Sequence, residues 1–105
     1  MFLYIDGTDY TSVTYALGDK GGLIISKKYP IDPHKSHKTL QHLDAFLRQS
    51  KIPQSSISKI FVNKGPGSFT GTRIGIAHAM ALGLAWGVPV KAVSIADYSR
   101  MTTQK

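Results

Sequence analysis

The stretch Gly65-Pro66-Gly67-Ser68-Phe69-Thr70-Gly71 decides how this chain is read. It follows the apolar run Ile60-Phe61-Val62 and precedes a long run of small and apolar residues that reaches Trp86. A glycine cluster between two such patterns is a tight strand-to-helix turn. Pro66 fixes one φ, the flanking glycines are free to take positive φ, and Ser68 is placed to cap the helix through its hydroxyl. The N–H groups of a first helical turn attract anions. The first turn here carries Arg73 where an acid would better suit the positive helix end. Two readings stay open: an anion cradle made by Gly65, Gly67, Ser68 and Arg73, or a turn required by packing alone. Spacing excludes the two common phosphate loops. A Walker A loop ends Gly-Lys-Ser/Thr, whereas this helix begins Gly71-Thr72-Arg73; the dinucleotide fingerprint is G-x-G-x-x-G, whereas the chain has G-x-G-x-x-x-G.

Downstream, the pattern predicts a helix from about Phe69 to Trp86, with Gly87 just past its end and Pro89 unable to continue it. Along it Gly71, Gly75, Ala79, Gly83 and Gly87 recur at every fourth position, and Ala77, Ala81 and Ala85 make a second small stripe. A glycine lowers helix stability by about 1 kcal/mol relative to alanine, so the stripe implies close approach to another backbone. That backbone is either the chain's own sheet or a helix of a second subunit. Residues 88–93 read as a last strand. Ser94-Ile95-Ala96-Asp97 has the form of a capping box, which predicts a new helix near Ile95.

Upstream, residues 2–5 form an apolar strand that ends in the turn Asp6-Gly7-Thr8-Asp9. Residues 10–17 alternate and are rich in Thr, Val and Tyr, Lys20-Gly21-Gly22 is a hairpin turn, and residues 23–30 form a third strand. From Pro33 to Lys51 the period becomes helical: Leu40, Leu43, Phe46 and Leu47 share one face, Ser36 is the expected N-cap, and Pro53 stops the helix. The order β-β-β-α-β-α-β predicts one α/β domain, a five-stranded mixed sheet with helices packed on it. This is the order of the ribonuclease H-like half found in actin-like ATPases.

Composition narrows the function classes. The 105 residues hold no cysteine, which excludes a disulfide framework, thiol catalysis and a zinc ribbon, and fits a reducing cytoplasm. The N-terminus lacks a basic n-region, and the longest apolar stretch, Ile74 to Val90, carries His78 and Pro89 and falls short of the ~20 residues of a membrane span. The net charge is +7 and all six acids are aspartates. Such an excess suits tRNA, rRNA or an acidic protein face, or is a solvated surface. Asp6, Gly7 and Thr8 at a strand end are the second candidate phosphate or Mg²⁺ site. His34 and His37 lack a third ligand for a metal, and no Ser-His-Asp set or carboxylate pair stands out.

The twelve residues Gly65-Pro66-Gly67-Ser68-Phe69-Thr70-Gly71-Thr72-Arg73-Ile74-Gly75-Ile76 resemble the signature of the TsaB (YeaZ) family. Ile5-Asp6 with Ser12-Val13, the segment Leu43-Asp44-Ala45-Phe46-Leu47 and the closing Gly87-Val88-Pro89-Val90 extend the similarity from about Phe2 to Asp97. The resemblance implies an actin-like fold without catalysis of its own. It also implies a role in making threonylcarbamoyladenosine, next to the anticodon of tRNAs that read ANN codons. It implies pairing with the catalytic paralogue TsaD, assembly with the ATPase TsaE, a possible homodimer, and tRNA contact that is indirect or weak. Cofactors are expected to be absent from this chain alone, with ATP and Mg²⁺ reserved for the complex. On this view residues 1–94 are the first of the family's two actin-like domains and 95–105 the start of the next helix, so a cleft between two domains cannot form here. The Asp6-Gly7-Thr8 turn is shorter than the family's usual pattern. The expected pairing surface comprises Leu40, Leu43, Leu47, Gly75, Ala79, Met80 and Gly83.

Overall fold

The computed structural model describes residues 1–9, 11–19, 22–31, 39–67 and 69–94. Strands β1 (Phe2–Asp6), β2 (Ser12–Asp19) and β3 (Gly22–Pro30) form an antiparallel meander. Helix α1 (Thr39–Ser50) leads to β4 (Lys59–Asn63), and helix α2 (Phe69–Trp86) leads to β5 (Val90–Val93). The sheet order is β3-β2-β1-β4-β5, with β4 parallel to both β1 and β5. This is the mixed five-stranded α/β architecture that the element order predicts. The expected cap at Ser36, the turn residues Lys20 and Gly21, the pair His34 and His37, and the helix near Ile95 all lie outside the described residues.

Three local differences have physical reasons. Strand β2 starts at Ser12 because the Asp9 carboxylate accepts hydrogen bonds from the Thr11 N–H (2.9 Å) and hydroxyl (3.0 Å), which ties Thr11 back to Asp9. It runs on to Asp19 through a bulge at Leu17/Gly18, where the Phe2 ring fills the space beside Gly18. Helix α1 ends two residues before Pro53 needs it to, through Lys51 in the left-handed region (φ 59°).

Both helices pack on one face of the sheet. Leu3, Ile5, Val13, Tyr15, Leu17, Ile60 and Val62 meet Leu43 and Phe46 of α1 and Ala79 of α2 in one buried cluster. The other face holds Tyr4, Ala16 and Val93, with Phe2 and Phe61 beside them in edge-to-face contact at 5.2 Å. The apolar run of β4 is therefore split by the pleat: Ile60 and Val62 go to the helices, Phe61 to the opposite face.

The sheet itself is the partner that the glycine stripe of α2 needs. A Cβ at Gly83 would lie 2.3 Å from Val90 Cγ2 and 3.0 Å from the Val88 carbonyl oxygen. The helix then stops in a Schellman motif: Gly87 takes φ 68° and the Val88 N–H donates to the Gly83 carbonyl at 3.0 Å.

Aromatic rings join the helices to the meander. Tyr15 is fully buried, stacked on Phe46 at 5.9 Å, with its hydroxyl 3.4 Å from His78 Nε2. Tyr29 stacks on His42 of α1 at 5.0 Å. Burial pushes the Tyr15 phenol up and the His78 imidazole below its ordinary value.

Substitutions at Gly83, Gly75 and His78 test this packing. Gly83→Ala should destabilise the fold by roughly 1–3 kcal/mol through overpacking. Gly75→Ala meets only ordinary contacts, the nearest at 3.5 Å, so it should be neutral or stabilising by up to about 1 kcal/mol in urea unfolding. His78 is half-buried and favours its neutral form, so the unfolded chain binds the proton more readily. Stability should therefore fall as pH drops below the ordinary histidine value of 6.5, and His78→Gln should flatten that slope while leaving the region above about pH 7 unchanged.

Candidate functional site

The carboxyl ends of adjacent parallel strands are where open α/β sheets place their ligands. At that edge the loop after β1, Asp6 to Thr8, meets the turn between β4 and α2, Gly65 to Gly67. The two loops touch through backbone. A Cβ on Gly67 would lie 2.4 Å from Thr8 Cβ and 2.6 Å from the Thr8 carbonyl oxygen, and one on Gly7 would lie 2.5 Å from the Gly71 carbonyl oxygen. Only glycine allows either approach. Gly7 therefore seats the first turn of α2 on the β1 loop, and Gly75, next down the helix, lies over it as well. Gly65 has a different role: its φ of 111° is the conformation that turns the chain out of β4.

Hydrogen bonds close the same region. Asp6 Oδ1 accepts from the Thr8 N–H at 2.8 Å and the Thr8 hydroxyl at 2.5 Å, while Asp6 Oδ2 accepts from the Tyr4 hydroxyl at 3.2 Å. Asn63 is buried; its Oδ1 accepts from the Gly65 N–H and its Nδ2 donates to the Tyr4 hydroxyl, both at 2.8 Å.

The polar groups of these two loops are engaged with one another. Three donors share the two oxygens of the Asp6 carboxylate. Gly67 lies against Thr8 and keeps its other side exposed. The Thr72 hydroxyl in the first turn of α2 lacks a hydrogen-bond partner, but it has no solvent access. Among the described residues no group of three metal-ligating side chains occurs.

The residues expected to act therefore divide. Asp6, Gly7, Thr8, Gly65 and Gly67 come together, but as a mutual support. Ser68 lies outside the described residues, and Arg73 is exposed on α2. Of the expected pairing surface, Leu43, Gly75, Ala79 and Gly83 are buried inside the chain. That corrects the expectation for those four: the every-fourth stripe faces the sheet, because Gly83 and Gly75 sit against Val90 and Gly7. Leu47 is half-buried against the same core, and the Leu40 side chain lies outside the described set. Met80 is 61% exposed and belongs to the outward face.

Three residues escaped the sequence reading. Leu84 is 87% exposed, and with Met80, Ala81, Gly83, Val88 and Val90 it lines an open apolar groove of ≈ 570 Å³. Its signal was the 3/4 spacing Ala77, Met80, Leu84, on the opposite side of α2 from the glycines. Asn63 and Tyr4 were hidden because only the register of β1 on β4, Tyr4 opposite Phe61, brings them together.

A family model described as "TsaD: tRNA N6-adenosine threonylcarbamoyltransferase" matches residues 30–100. The chain is 33% identical over 92 residues to the tRNA threonylcarbamoyladenosine biosynthesis protein TsaB of Bacillus subtilis (strain 168), covering 88% of this chain and 40% of that protein. Among solved structures, YeaZ from Pseudomonas aeruginosa superposes with a TM-score of 0.74 at 30% identity, over 89% of this chain and 44% of that one. The chain thus spans less than half the length of these relatives. RuvC from Thermus thermophilus, bound to a Holliday junction substrate, reaches a TM-score of 0.61 at 11% identity, over 91% of this chain and 66% of that one. That likeness speaks for the ribonuclease H-like fold alone.

The loop contact predicts a specific coupling. Gly67→Ala should destabilise the fold by about 1–3 kcal/mol in chemical denaturation, the range of an overpacked site. Thr8→Gly should recover part of that loss by removing the clashing Cβ. Purely additive effects in the double variant would show that the loops do not touch.

Proposed function

The chain belongs to the TsaB (YeaZ) family, and on that premise we propose that it acts as a non-catalytic partner subunit in tRNA threonylcarbamoyladenosine modification, at the adenosine next to the anticodon. The reading assigns the transfer chemistry to the paralogue TsaD and nucleotide hydrolysis to TsaE. ATP and Mg²⁺ are held by those subunits. Contact with tRNA is indirect or weak, in keeping with basic residues that are spread rather than clustered. The complex works in the cytoplasm; among the described residues no helix is long and apolar enough to cross a membrane.

The observation that carries the proposal is the outward face of α2. Ala77, Met80, Ala81 and Leu84 are all exposed, at the spacing of a helix-pairing seam with small residues beside large ones. The exposed Leu84 and Met80 beside an apolar groove support reading this face as an interaction surface. The outward residues of α1, by contrast, include Gln41, Asp44, Arg48 and Gln49, and Asp44 pairs with Arg48 along the helix. The pairing surface is therefore centred on α2. The same seam is self-complementary, small against large, which favours a homodimer as the second reading when the paralogue is absent.

The test is co-purification with TsaD, followed by a tRNA modification assay. Leu84→Asp should weaken the complex at least about tenfold, as loss of a central apolar anchor does. Its unfolding midpoint should stay near that of the parent, because Leu84 supports nothing inside the chain. Full binding by Leu84→Asp and Met80→Lys, or modification that proceeds without this chain, would refute the proposal.

A further inference from the structure

The polar groups between the two loops form a directed series. The Gly65 N–H can only donate, so the Asn63 oxygen must face it. That leaves the Asn63 amide nitrogen toward Tyr4, so the Tyr4 hydroxyl accepts from it and passes its own hydrogen to Asp6. The Asp6 carboxylate, an acceptor only, ends the series and also gathers the Thr8 N–H and hydroxyl. Each bond polarises the next. Tyr4 and Asn63 are both 1% exposed, so water does not compete for these groups. They lie on the sheet face opposite the helices, while the glycine contacts lie on the helix side.

We propose that Tyr4 and Asn63 are positioning residues: a buried strut that ties the β1 loop to the turn before α2, so that the two loops open and close as one unit. The glycine contacts set how near the loops come. The strut sets that neither moves alone. Because Gly7 seats the first turn of α2, the strut also fixes where the helix begins relative to the sheet. Nothing in this depends on which partner α2 meets, so the partner reading and the strut stand or fall separately.

The test is amide hydrogen exchange by NMR on the chain as it is, with Tyr4→Phe. This variant keeps the ring. It removes neither acceptor of the reporter amides, since Thr8 N–H bonds Asp6 Oδ1 and Gly65 N–H bonds Asn63 Oδ1. The strut predicts that both amides exchange about tenfold faster, together, with the β2 amides unchanged. Asn63→Ser, which shortens the side chain, should likewise speed exchange at Thr8, a residue it does not touch. Acceleration of only one reporter, or of neither, would overturn the proposal. Uniform acceleration across the sheet would also overturn it, because the pair would then contribute to global stability alone.

Discussion

Bare backbone meets bare backbone where α2 begins. Gly7 lies against Gly71 and Gly75, and Gly67 lies against Thr8, at separations that leave no room for a Cβ on Gly7 or Gly67. Most of the molecule's geometry depends on that approach. It sets the height of α2 over β1 and β4, and so lets Ala79 fill the interior and Gly83 settle on Val90. A helix this rich in glycine is a poor helix in isolation. Its stability comes from the close packing that the glycines permit, a tertiary gain that exceeds the local loss.

The same approach draws together the parts that a phosphate loop would use. A glycine turn at a strand end, an acid on the neighbouring strand and a helix N-terminus are the parts of an anion site. Here the parts bind one another. Asp6 accepts from Thr8 and Tyr4, and Gly67 lies directly against Thr8. Seating the glycine side of α2 inward also decides what the helix shows to solvent. Once Gly75, Ala79 and Gly83 face the sheet, the 3.6-residue period places Ala77, Met80 and Leu84 outward. The exposed apolar stripe of α2 is thus a consequence of how the interior closes.

Much of this was legible in the sequence, and the limits are instructive. The strand order followed from element order, because a meander joined to two crossovers has few right-handed, unknotted arrangements. The turn at Gly65 was legible because positive φ is a local demand. Gly67 was not separable from it: its glycine is required by Thr8, more than fifty positions away in sequence. Two small stripes run along α2, and composition alone could not say which one faced inward. The contact of Gly83 with Val90 decides it, and that depends on how tightly the chain turns through Gly87. Tyr4 and Asn63 read as ordinary strand residues until the β1–β4 register aligns them.

The central claim is that the β1 loop and the start of α2 are in direct backbone contact. The most direct measurement is a nuclear Overhauser spectrum of the chain in solution with Mg-ATP absent and then added. The account predicts a cross-peak between the α-hydrogens of Gly7 and Gly75, and another between the Thr8 methyl group and the Gly67 α-hydrogens, both unchanged by nucleotide. Missing cross-peaks, or cross-peaks that vanish as Mg-ATP is added, would contradict it.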